Sequence, residues 1–202
     1  MGRRYDTLDE TLVRWIERQP LVFVGTAPLA ADGHINVSPK GASGTFKILG
    51  PMTVAYLDLV GSGAETLAHL HENGRIIFMF CAFNGPPKIL RLHGRGRVIG
   101  PDHPEFAKFI DLFAPGDELL GVSRTVVVAE IERISDSCGY GVPLMEQCGE
   151  RDQIFRWAEQ KAAKGGPGWR ADYIRGYNST SVDGLPALDA DVFELKDPVL
   201  ES

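Results

Sequence analysis

The chain has 202 residues, with 27 acidic against 21 basic side chains and a net charge of −6. That length suffices for one domain burying roughly 70 % of the surface its unfolded form exposes, so neither disulfides nor a metal are needed for folding. The acidic balance argues against a general nucleic-acid binder, and no segment approaches the roughly 18 uninterrupted apolar residues of a membrane-spanning helix.

The start MGRRYDTLDE has no apolar leader segment, and the cysteines are odd in number: Cys81, Cys138 and Cys148, with no C-x-x-C pair. Both features fit a reducing, cytoplasmic compartment, with the cysteines as buried or half-buried small hydrophobes and no metal site. Thr7-Leu8-Asp9-Glu10 has the spacing of a capping box, and Leu8, Leu12, Trp15 and Ile16 share one face of a helix ending near Pro20. Strand patterns follow at 21–29 and 35–41, flanking a turn at Ala31-Asp32-Gly33, and then at 51–59, 75–83, 89–100 and 123–134. These six strands, with short connections, predict a mainly β fold with flanking helices (α+β): an antiparallel sheet closed into a barrel, its core at about 20–135. Helical segments interrupt them after Ser62 and at 103–113, where Phe106, Phe109, Ile110 and Phe113 make an apolar face. Residues 151–164 read as a helix, which 165–168 (GGPG) breaks, and a loop-rich tail follows. No linker marks a second domain, so 1–202 is read as one, with 136–202 as its helix and tail.

Residues 54–80 read as strand, Gly61-Ser62-Gly63 turn, helix and strand. The turn opens onto a helix N-terminus, where unpaired N–H groups and a partial positive charge suit a phosphate. Ser62 and Glu65 equally fit a capping box, and Glu65 would repel a phosphate unless a cation from elsewhere offsets it. The run G-S-G-A-E-T lacks the third glycine of a dinucleotide-binding fingerprint. Further along, Arg91, His93, Arg95 and Arg97 fall on one face of a strand. This is either a solvated row answered by acids on a neighbour or an anion or partner site. The strand at 75–83 is apolar on both faces from Ile76 onward; a barrel interior takes only one, so the other needs a helix or a second subunit. His69 and His71 lack the i, i+4 spacing of a helical zinc pair and read as surface residues. Asn178, Ser181 and Asp183 read as turn formers or as a tail reaching over a ligand.

Over roughly residues 20–135 the chain resembles the flavin-binding split-barrel family of pyridoxamine 5'-phosphate oxidase-like proteins. The resemblance is carried by INVSPKG, VAYLDL, GSGAETLAHLHENG, the apolar strand and the I-L-R-L-H-G-R-G strand. It implies FMN at the interface of a homodimer, with Lys40 on the flavin or its phosphate and Ser38 and Gly41 beside it. It further implies Tyr56 and Leu57 as a backbone seat, Ser62, Gly63 and Thr66 as a phosphate cradle, and Arg91 as the cation that Glu65 makes necessary. The implied activity is an FMN-dependent oxidoreductase acting on a small organic substrate or a nicotinamide donor. A deazaflavin-dependent reductase and a non-catalytic flavin-binding protein are the alternatives. No catalytic side chain is singled out, because the flavin ring itself carries the hydride or electrons. True oxidases follow the serine with two basic residues and end in an arginine and tryptophan motif that holds the substrate. Here Gly63, Ala64 and Glu65 follow Ser62 and the tail differs, so the resemblance does not extend to oxidation of pyridoxamine phosphate.

Overall fold

The computed structural model describes residues 2–113 and 117–195. The first half runs β1 (Arg4–Tyr5), α1 (Glu10–Glu17), β2 (Val22–Thr26), β3 (Asn36–Lys40), β4 (Phe46–Gly50), β5 (Thr53–Leu59) and α2 (Glu65–Asn73). Then come β6 (Arg75–Cys81), β7 (Ile89–Ile99), α3 (Phe106–Ile110) with a 3-10 turn to Phe113, α4 (Asp117–Val122) and β8 (Ser123–Ser137). The chain continues through α5 (Gln153–Gly165), α6 (Trp169–Tyr177) and α7 (Ala190–Leu195).

Among the described residues the eight strands form one antiparallel sheet in the order β3-β2-β6-β7-β8-β5-β4, with β1 beside β8. The mainly β, antiparallel split-barrel expectation holds, although the path stays open between β3 and β4 and two strands are added to the six. Alternation decides which side faces in. On β2, β6 and β7, Val22, Val24, Phe78, Phe80, Leu90 and Leu92 enter the core, which Leu12 and Ile16 of α1 and Leu67 of α2 close. Each such side chain contributes about 1.5–3 kcal/mol of burial. The other side of β5 and β8 is covered by Phe106, Phe109, Ile110 and Phe113, packed on Leu57, Val126 and Val128. The outer side of β2, β3 and β6 has no such cover among the described residues: Ile35 and Val37 are 77 % and 62 % exposed.

Neither capping box forms. Asp9, not Thr7, caps α1, its side chain accepting the Leu12 amide at 2.8 Å. The α2 N-cap is Ala64, with no side-chain cap bond. In the C-terminal part α6 and α7 replace the expected loop-rich tail, packing through Ala171, Ile174, Ala190 and Phe193. Helices of 9 and 6 residues give too few turns for a periodic signal. Cys81 is buried, but Cys138 and Cys148 lie exposed beyond β8, against expectation.

Two β-bulges shape β8. Opposite β5 the register passes from Asp58↔Thr125 to Leu59↔Ser123, leaving Arg124 unpaired. Opposite β7 it passes from His93↔Arg133 to Gly94↔Ile131, leaving Glu132 unpaired. Gly94 is required there, since a Cβ would lie 2.0 Å from the Glu130 carbonyl oxygen. Among the described residues no helix is long and apolar enough to cross a membrane.

Candidate functional site

The bulge at Arg124 swings a charged side chain into the interior, where Asp58 waits at the end of β5. Arg124 Nε donates to Asp58 Oδ2 at 2.5 Å, and Lys40 Nζ from the last residue of β3 donates to Oδ1 at 3.1 Å. Burial alone would raise the Asp58 pKa, but the two cations and their hydrogen bonds hold it below the ordinary carboxylate value. Two cations on one carboxylate leave a net charge of +1.

The rest of the Arg124 guanidinium grips the turn before α2. Nη2 donates to the Gly63 carbonyl at 2.8 Å and Nη1 to the Gly61 carbonyl at 3.4 Å. The Gly61 oxygen also accepts from Asn178 Nδ2 at 2.8 Å. In a trans peptide the C=O and the following N–H point in opposite directions, and the described residues include no cis peptide. Drawing those two carbonyls toward Arg124 therefore turns the Ser62 and Ala64 amides away from it. Neither amide has a hydrogen-bond partner among the described residues. They stand at the positive end of α2.

Beside this turn lies a polar row. Asn36 and Ser38 lie on the same side of β3 as Lys40, which in the sheet register is the core side. Asn36 Nδ2 donates to the Thr66 hydroxyl at 2.9 Å and the Ser38 hydroxyl to Asn36 Oδ1 at 3.2 Å. Thr26 shares a hydrogen bond of 3.0 Å with His69 Nδ1. His69 is thus fully buried rather than at the surface, and burial lowers its pKa. The Tyr56 ring is buried against Phe78, with the Lys40 ammonium 5.5 Å from its centre. Its hydroxyl lies close to Thr66 without a bond that meets hydrogen-bond geometry. A cavity of about 410 Å³ opens beyond Lys40 and Gly41, with Val22, Phe46, Ile48 and Phe80 as its apolar wall.

The structure thus brings together Ser38, Lys40, Tyr56, Gly63 and Thr66, with exposed Ser62 and Gly41 at the margins. Leu57 is buried, and its amide is already bonded to the Thr45 carbonyl at 2.8 Å. Arg91 stands apart: Leu90 and Leu92 point into the core, so Arg91 points outward, where it bonds the Ser137 hydroxyl at 2.8 Å. In the same row Arg95 and Arg97 meet Glu132 and Glu105 at 3.5 and 3.3 Å, the solvated reading. The cation nearest the turn is Arg124, which the sequence motifs leave unmarked along with Asp58 and Asn36. Its available signal was an opposite-charge pair, Asp58 and Arg124, standing in otherwise apolar strands.

The loop between α6 and α7 reaches the same turn. Besides Asn178, the Val182 amide donates to Glu65 Oε1 at 3.3 Å, so the Glu65 carboxylate is held by the loop instead of capping α2. Asp183 accepts from the His34 amide at 2.8 Å and pairs with its Nδ1 at 2.6 Å, tying the loop to the β2–β3 connection.

Comparison with known proteins agrees with this architecture. A family profile described as Pyridoxamine 5'-phosphate oxidase matches residues 8–138. The pyridoxamine 5'-phosphate oxidase family protein ustO of Aspergillus flavus is 39 % identical over 197 residues, covering 91 % of this chain and 77 % of that protein. Among solved structures, a variant of HupZ from Group A Streptococcus superposes with a TM-score of 0.50 at 20 % identity, covering 64 % of this chain and 99 % of that one. An FMN-binding protein of Syntrophomonas wolfei gives a TM-score of 0.43 at 16 % identity, covering 57 % and 75 %. The profile spans strands β2 to β8 and the turn before α2, and with the identity to the Aspergillus protein it establishes that the chain belongs to the pyridoxamine 5'-phosphate oxidase family.

Proposed function

We propose that the chain is an FMN-dependent oxidoreductase working as a homodimer, with the FMN phosphate seated at the turn before α2. The observation that carries this reading is the pair of unpartnered Ser62 and Ala64 amides, turned away from a buried Arg124 in a group of net charge +1. An oxyanion there meets N–H donors and the positive end of a helix, with the surplus cation behind it. The polar row fits the same ligand, because the buried Tyr56 hydroxyl and His69 Nε2 have no hydrogen-bond partners among the described residues.

Bound FMN supplies hydride or electron transfer to the site. This chain's residues bind and orient: the turn amides take the phosphate, and Lys40, half-buried at the end of β3, presents its remaining N–H donors beside the apolar cavity. The uncovered apolar face of β2, β3 and β6 is the surface for the second copy.

The absorbance spectrum of the purified protein tests the reading. A flavin spectrum is expected, with FMN in the supernatant after denaturation and bleaching by NADH or NADPH without oxygen. Colourless protein that takes up no FMN on titration would overturn it. Bleaching by neither nicotinamide would leave a flavin carrier or an enzyme with another donor. Lys40→Ala is expected to weaken FMN binding by about 1.5–3 kcal/mol, the worth of a charge-assisted contact, measured by calorimetry.

A further inference from the structure

The loop between α6 and α7 is not explained by the sheet it touches. It has its own bridge, Thr180↔Pro186, and a turn from Ser181 to Gly184, where φ is +76°. Yet it bonds to two separate segments, the turn into α2 at Gly61 and Glu65 and the β2–β3 connection at His34. Its deepest member is Asn178, fully buried at the end of α6. The backbone of Asn178 is already held, its amide by Ile174 and its carbonyl by the Leu188 amide at 3.1 Å. That leaves the side chain pinned in direction, with Nδ2 on the Gly61 oxygen.

We propose that Asn178 and Arg124 are positioning residues for phosphate recognition, together fixing the Gly61 and Gly63 carbonyls so that the Ser62 and Ala64 amides face the ligand. The proposal rests on the FMN reading above and adds to it that affinity for the phosphate is set by a loop 117 residues away in sequence. Two donors from different elements hold the Gly61 oxygen, Asn178 at 2.8 Å and Arg124 only at 3.4 Å, so removing Asn178 leaves that peptide plane weakly held, and removing Arg124 frees the Gly63 carbonyl. The Val182 amide acts in the same sense, keeping the Glu65 carboxylate in a bond of its own beside the turn.

The test compares FMN with riboflavin, which lacks the phosphate, by calorimetric titration of wild type and Asn178→Ala. Loss of one neutral hydrogen bond that orients the donors is expected to lower FMN affinity about five- to tenfold while leaving riboflavin affinity within about twofold. Arg124→Lys keeps a cation for Asp58 but loses the guanidinium fork, and serves as the second variant where Asn178→Ala does not fold; the same selective loss is expected. An unchanged FMN-to-riboflavin ratio in a folded variant overturns the proposal. Equal loss of both ligands also overturns it, as that marks a merely structural role. Wild-type protein that binds neither ligand, or both alike, instead removes the FMN reading itself.

Discussion

At the scale of single residues, Asp58 is the most exacting position. Its carboxylate is fully buried and shared by Arg124 and Lys40, so Asp58→Asn leaves two cations facing each other without a counter-charge. Breaking such a buried pair costs about 3–5 kcal/mol, which urea denaturation would register. The pH dependence follows from the direction of its shift. The folded pKa lies below the ordinary value of 3.8, so the pair's contribution is complete above that pH and is lost as pH falls through the folded value. Acid unfolding in that window is expected to be shallower in Asp58→Asn. His34 behaves oppositely: the hydrogen bond to Asp183, then its charge, raise its pKa above 6.5. The charged tie to the loop is full below 6.5 and fades as pH rises through the raised value. Proton NMR is expected to show His34 titrating above 6.5 in wild type and returning toward it in Asp183→Asn.

At the scale of elements, the Arg124 bulge delivers the guanidinium to the site, while the second bulge bends β8 where it passes Gly94. Gly94→Ala places a methyl group against the Glu130 backbone oxygen and is expected to destabilise by about 1–3 kcal/mol or more, readable from the urea midpoint. Asp9→Ala removes a real cap and is expected to cost about 1 kcal/mol by the same assay, whereas Thr7→Ala is expected to cost little. These two devices differ in how far they could be read in the chain. Strands β2, β5, β6, β7 and β8 were legible because a buried face imposes alternation or an apolar run. The five residues of β4, FKILG, show no clear alternation and stay half-buried on most positions. A bulge is a property of two strands in register, so nothing in Ser123-Arg124-Thr125 alone announces that Arg124 turns inward. Lys40 and Thr66 could be picked out from a motif, but their partners Asp58 and Asn36 could not be assigned, since side-chain pairing across a sheet waits on topology.

At the scale of the whole molecule, the exposed Ile35 and Val37 and half-buried Ile77 and Met79 form an apolar face on the outer side of the sheet. A homodimer on this face is expected to bury more than roughly 2,000 Å² in total, as obligate pairs do. Sedimentation should report a dimer for wild type and a monomer for the double variant Val37→Asp, Ile77→Asp. A wild-type monomer at micromolar concentration would remove the dimer from the proposed function. The protein is further expected to form no pyridoxal phosphate above background from pyridoxamine phosphate in air. Gly63 and Ala64 supply no side-chain cation where true oxidases place two basic residues, and each lost charged contact costs about 1.5–3 kcal/mol. Finally, the bond from Asn178 to Gly61 gives the molecule a history as well as a shape. On the ribosome the turn before α2 and Arg124 are both made before residue 178, so the early chain carries every amide of the cradle but only one of the two side chains proposed to set them. On the proposed reading, a nascent chain stalled before α6 is expected to hold the FMN phosphate more weakly than one that has reached Asn178, because its Gly61 peptide still lacks that donor.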